Sequence, residues 1–102
     1  MHITIEKYTI PEGKTRYRTS DTTLLEFRRS ILVKSEKTRE VISGVTHITQ
    51  VNYWTSESDW KKFIEMWETQ AERDRAIAHM KANSITKVTT DDKGTVLRKH
   101  PG

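Results

Sequence analysis

Cysteine is absent from the 102 residues, which excludes disulfides, thiolate zinc sites and cysteine nucleophiles. Four glycines and two prolines are too few and too scattered for a loop that cradles phosphate. No stretch is apolar enough for a membrane span. The opening decapeptide, MHITIEKYTI, lacks the apolar run of a secretory leader. A cytoplasmic chain without membrane association is therefore expected. Hydrophobic residues make up only 33% of the chain and charged ones 31%, so the core must be lean and rely on three Trp, three Tyr and two Phe. Nucleophile signatures are also missing: there is no Gly-x-Ser-x-Gly and no ordered Ser, His and Asp set. His47 and His79 are the candidates for proton transfer, but neither lies in a His-x-x-x-His or His-Glu-x-x-His spacing. No metal site and no cofactor are expected. Asp91-Asp92-Lys93-Gly94 lacks the remaining ligands of a calcium loop and reads as a turn.

What is abundant is positive charge, and it is unevenly placed. Between Lys14 and Arg39 eight cations meet three acids, whereas elsewhere acids outnumber bases by one. The ordinary explanation is a solvated face. The alternative is a patch for an anionic partner, with Arg16, Arg18, Arg28 and Arg29 as nucleic-acid contacts and Tyr17 as a stacking ring. Acids further along the chain dilute that field, so nucleic acid is the lesser expectation.

The most regular stretch is Ser56 to Ala82. Trp60, Phe63, Ile64, Trp67, Ala71 and Ala78 recur at helical spacing. Ser56 followed by Asp59 has the form of a helix N-cap with an acid in the first turn, Glu57 precedes Lys61 by four residues, and Asn83 is a stop. The spacing predicts one long helix over about 56–82, with a bend or break near Thr69. A rival reading makes 60–67 a strand hairpinned to 46–54.

Around this helix the chain reads as strands. Residues 2–10 alternate Ile3 and Ile5 with polar neighbours and end at Pro11. Val41 to Trp54 is rich in β-branched and aromatic residues, with Gly44 read as a bulge or bend. Within it, Ile48 and Trp54 share one face, and Val51 and Tyr53 share the other. Residues 22–34 fit both a helix and a strand. Helix is favoured for Thr22–Ser30, capped by Thr23 with Glu26, and strand for Ile31–Val33, with Ser35–Thr38 as a turn. Ser84–Thr90 is a further strand, and Thr95–Lys99 a short edge strand that pairs back on it.

Trp54-Thr55-Ser56 followed by Trp60, Phe63 and Ile64 resembles a pattern of dimeric α+β barrel proteins of the ferredoxin-like class, which include antibiotic-biosynthesis-monooxygenase-like domains. There a strand ends in Trp, Ser follows two residues later, and a helix opens with an aromatic at the sixth position. Pro11-Glu12-Gly13-Lys14 is similar to the turn after their first strand. The interval from Gly13 to Gly44 is longer than that pattern has. The resemblance implies a single ferredoxin-like domain over 1–102. It would have an antiparallel sheet of about four strands, one long helix, a second short helix, and sheets packed across a homodimer.

The class includes oxygenases, haem-degrading enzymes, lyases and proteins without known activity, so function does not follow from fold. The expectation is a small-molecule ligand, or a cofactor-free oxygenase-like reaction, in a pocket between sheet and helix. Asn52, Tyr53, Trp54 and Trp67 are the ligand-binding candidates. The alternative is a non-enzymatic binding module, for nucleic acid or a protein partner, using residues 14–39. Apolar groups on both faces of the best strand also predict a sheet-to-sheet homodimer whose interface includes Trp54 or Tyr53.

Overall fold

The computed structural model describes residues 1–102. Strand β1 (His2–Ile10) is followed by a turn in which Lys14 N–H donates to the Pro11 carbonyl at 3.1 Å. Helix α1 (Thr22–Ile31) settles most of the ambiguous segment 22–34 as helix, with strand beginning at Leu32, one residue later than expected. Its cap is Asp21 rather than Thr23: the Asp21 carboxylate accepts from Leu24 N–H at 2.9 Å. The helix passes directly into β2 (Leu32–Ile42).

β2 corrects the expected turn at Ser35–Thr38, where the strand instead runs for 11 residues. The segment contains no Gly, Pro or Asn to drive a reversal. It also lacks apolar alternation, because this edge strand is exposed along nearly its whole length. The reversal comes at Ser43-Gly44, with φ of 51° and 83°, so Gly44 is a hairpin turn and not a bulge. Positive φ at both positions matches the twist of the flanking strands in a two-residue turn, and it sets Ile42 opposite Val45 at the start of β3 (Val45–Trp54).

Helices α2 (Glu57–Glu68) and α3 (Ala71–Ala82) replace the single long helix. Residues 60–67 are helical, which removes the hairpin rival. Ser56 Oγ accepts from Asp59 N–H at 3.0 Å, as its spacing predicts. The chain breaks at Thr69-Gln70: the Thr69 hydroxyl donates to the Met66 carbonyl at 3.0 Å, and Gln70 turns extended. The break changes which residues face inward. Ala71 and Ala78 are exposed, and α3 instead buries Glu72, Ala76 and Met80. The chain ends in β4 (Thr86–Asp91) and β5 (Val96–His100).

The five strands form one antiparallel sheet in the order β2-β3-β1-β4-β5, one strand more than expected. The shortest dimension of the molecule, 21 Å, is that of one sheet and one layer of helices. The helices pack on the face carrying Ile10, Ile48, Trp54 and Ile85. That core is divided. Ile31, Trp54 and Trp60 cluster at one end with Phe27, Phe63 and Ile64. Ile10, Ile48, Met80 and Ile85 cluster at the other, with Tyr8 against them. Between the two, the same face is polar: Gln50 and Asn52 separate Ile48 from Trp54 on β3, and Thr4 and Glu6 precede Tyr8 on β1. The opposite face carries Ile3, Ile5, Val51, Tyr53 and Val88, all only half-buried.

Candidate functional site

Over the polar middle of the sheet lies a cavity of about 510 Å³. Strand register builds its floor. Reading across the sheet, Lys37, Gln50, Glu6, Thr89 and Arg98 stand in one row from β2 to β5. All five line the cavity. Helix α1 adds Leu24, Leu25 and Arg28, and α2 adds Trp60, Phe63, Ile64 and Trp67. The segment Arg16–Thr19, between β1 and α1, closes a further side.

The floor is a continuous hydrogen-bonded network. Gln50 Nε2 donates to Ser35 Oγ at 3.0 Å and to Asn52 Oδ1 at 3.1 Å. Asn52 Nδ2 donates to Glu6 Oε1 at 2.7 Å, and Lys87 Nζ meets Glu6 Oε2 at 2.6 Å. Burial raises the Glu6 carboxyl, but Lys87, Arg28 and the Asn52 amide together outweigh it and hold Glu6 below its ordinary value. Burial lowers Lys87, and Glu6 with Tyr8 outweighs that in turn, leaving Lys87 above its ordinary value. The pair is therefore ionised on both sides at neutral pH. At the β5 end, burial first and then the charges of Arg98 and Lys87 push His100 down to about 4.

The apolar wall is aromatic. Trp54, 2% exposed, donates its Nε1–H to Thr4 Oγ1 at 2.8 Å, which fixes the indole on the sheet. Phe63 stacks on it with ring centres 5.7 Å apart. The Arg28 guanidinium lies 5.7 Å from the Trp54 ring centre, and that of Arg16 lies 4.7 Å from the Tyr8 ring centre.

The Arg16–Thr19 side is fastened from outside the cavity. Glu72, buried on α3, accepts from Tyr17 Oη at 2.8 Å, from Ser20 N–H at 3.1 Å and from Arg75 Nη2 at 2.5 Å. Arg75, with the hydroxyls of Thr19 and Tyr17, holds Glu72 down to about 2. His79 Nε2 lies 2.7 Å from the Thr15 carbonyl and adds a second tie.

Among the candidates read from sequence, Trp54 and Trp67 line the cavity. Asn52 lies under it, bonded to Glu6 and Gln50. Tyr53 is on the opposite face of the sheet, beside Lys34 and Glu36. Trp54 is enclosed by the helices, so it is not available to a sheet-to-sheet interface; of the two residues expected there, only Tyr53 lies on that face. His47 is also on the open face, opposite Thr9 and Glu40. His79 serves the Thr15 tie, and neither histidine lines the cavity. Arg16, Arg18 and Arg28 line it, whereas Arg29 is exposed on α1 and does not. The basic segment therefore divides between the cavity and solvent.

Sequence reasoning missed Glu6, Lys87, Gln50 and Arg98. Parity along the strands was the available signal: Glu6 falls in step with Thr4 and Ile10, and Lys87 with Ile85 and Thr89. A charge in step with buried positions marks a polar group facing the core layer. No family model, curated protein or solved structure matches this chain.

Proposed function

We propose that the chain is a ferredoxin-like domain that works as a homodimer and binds a small organic ligand in the cavity between its sheet and helices. One observation carries the ligand reading: a cavity of about 510 Å³ with a hydrogen-bonded polar floor and an aromatic wall. Its size and its mixture of apolar wall and convergent polar groups are those of small-molecule sites. The order β2-β3-β1-β4, with a helix crossing between β1 and β2, supports the ferredoxin-like assignment. For the homodimer, the support is the face of Ile3, Ile5, Val51, Tyr53 and Val88, on which no helix packs. An apolar sheet face of this kind is unusual on a monomer, and a two-fold copy presenting the same face would cover it.

Two measurements test the reading. Trp54, Trp60 and Trp67 all line the cavity, so a panel of small aromatic and aliphatic compounds is screened by tryptophan fluorescence and thermal shift. At least one compound should quench saturably and raise Tm; a panel with no such compound contradicts the ligand reading. Light scattering at micromolar concentration should give twice the 12.0 kDa chain mass, and Val51→Glu should give a folded monomer. A wild-type mass of one chain contradicts the homodimer.

A further inference from the structure

Resting on the ligand reading, we infer that the cavity takes an aromatic carboxylate, its ring against the apolar wall on α2 and its anion among Arg16, Arg18, Arg28 and Lys37. The argument is a charge count at the cavity surface. Six cations line it and one carboxylate, Glu6. Lys87 is neutralised by Glu6, and Arg98 is paired with Glu68. Arg16, Arg18, Arg28 and Lys37 have no carboxylate within ion-pair distance, and the cavity gathers these four on its surface.

Position narrows the ligand further. Arg28 stands over the Trp54 ring at 5.7 Å, so its cation is beside the wall formed by Trp54 and Phe63. Arg16 stands over Tyr8, and Lys87 Nζ is 5.4 Å from the same ring centre. A flat ring resting on Phe63, Ile64 and Trp67 would direct a carboxylate on its edge toward the cavity's cations. A guanidinium matches a carboxylate by bidentate hydrogen bonding. Glu6 does not oppose this, because Lys87 and Asn52 already occupy both its oxygens. A neutral ligand of the same shape would leave the cations without a counter-charge in a partly desolvated site.

The test compares 2-naphthoate with its neutral isostere 2-naphthamide by isothermal titration of the full chain. The acid should bind at least about tenfold tighter, the discrimination expected of one charge-assisted hydrogen bond. Arg16→Gln and Arg28→Gln should each weaken naphthoate by about tenfold and leave naphthamide unchanged. Arg29→Gln, exposed on α1 and outside the cavity, should change neither. Thermal melts establish that each variant folds, and Lys37→Gln stands in for either arginine variant that does not. Naphthamide binding as tightly as naphthoate overturns the anion assignment but leaves the ligand reading in place, as do arginine variants that weaken both compounds alike. If neither compound binds, the aromatic-carboxylate assignment is overturned, and the compound panel decides the ligand reading separately.

Discussion

Trp60 and Trp67 sit two turns apart on α2, yet they hold different positions. Trp60 is 8% exposed and packs with Ile31 and Trp54, whereas Trp67 is half-buried at the cavity. Trp60→Ala should therefore cost about 3–5 kcal/mol, as for a core aromatic. Trp67→Ala should cost less than about 2 kcal/mol, because only part of its burial is lost. It should instead weaken whatever compound the cavity accepts. Urea denaturation of the two variants checks the difference, and equal losses would contradict this difference in burial.

Acid stability tests how separate elements are tied together. Glu72 joins α3 to the segment before α1, and His100 on β5 lies near Arg98 and Lys87. Both groups have folded-state pKa values below their ordinary ones, so the unfolded chain takes up protons first as pH falls. Stability should thus decline between pH 6.5 and about 4 through His100, and between pH 4.5 and about 2 through Glu72. Urea midpoints across this range should lose the upper slope in His100→Gln and the lower slope in Glu72→Gln. An unchanged lower slope would contradict the Glu72 tie, and an unchanged upper slope the burial of His100 beside Arg98 and Lys87.

Elements were legible where local chemistry and burial agreed. Ser56 caps α2, residues 2–10 form β1, and the parity of Ile48 and Trp54 gave the faces of β3 correctly. β2 was not legible, because an exposed edge strand has no apolar period to read. The continuity of α2 into α3 was misread beyond Thr69 because Ala71 and Ala78 keep the spacing of the stripe while the break turns them to solvent. The cavity floor was the least legible part. Glu6 comes from the first strand and Lys87 and Arg98 from the last two, and only register sets them in adjacent rows.

At the scale of the whole molecule, the two sheet faces have different roles in this account. The helix-covered face holds a polar centre between two apolar clusters, and the cavity lies over that centre. The uncovered face is the proposed contact with a second copy. Ligand and partner would then act on opposite sides of one layer of strands. Nuclear magnetic resonance with labelled methyl groups and tryptophan side chains separates them directly. On titration with 2-naphthoate, the indole N–H signals of Trp54 and Trp67 and the methyls of Leu25 and Ile64 should shift saturably, while the methyls of Ile3, Val51 and Val88 stay in place. Saturable shifts confined to Ile3, Val51 and Val88 would contradict the account.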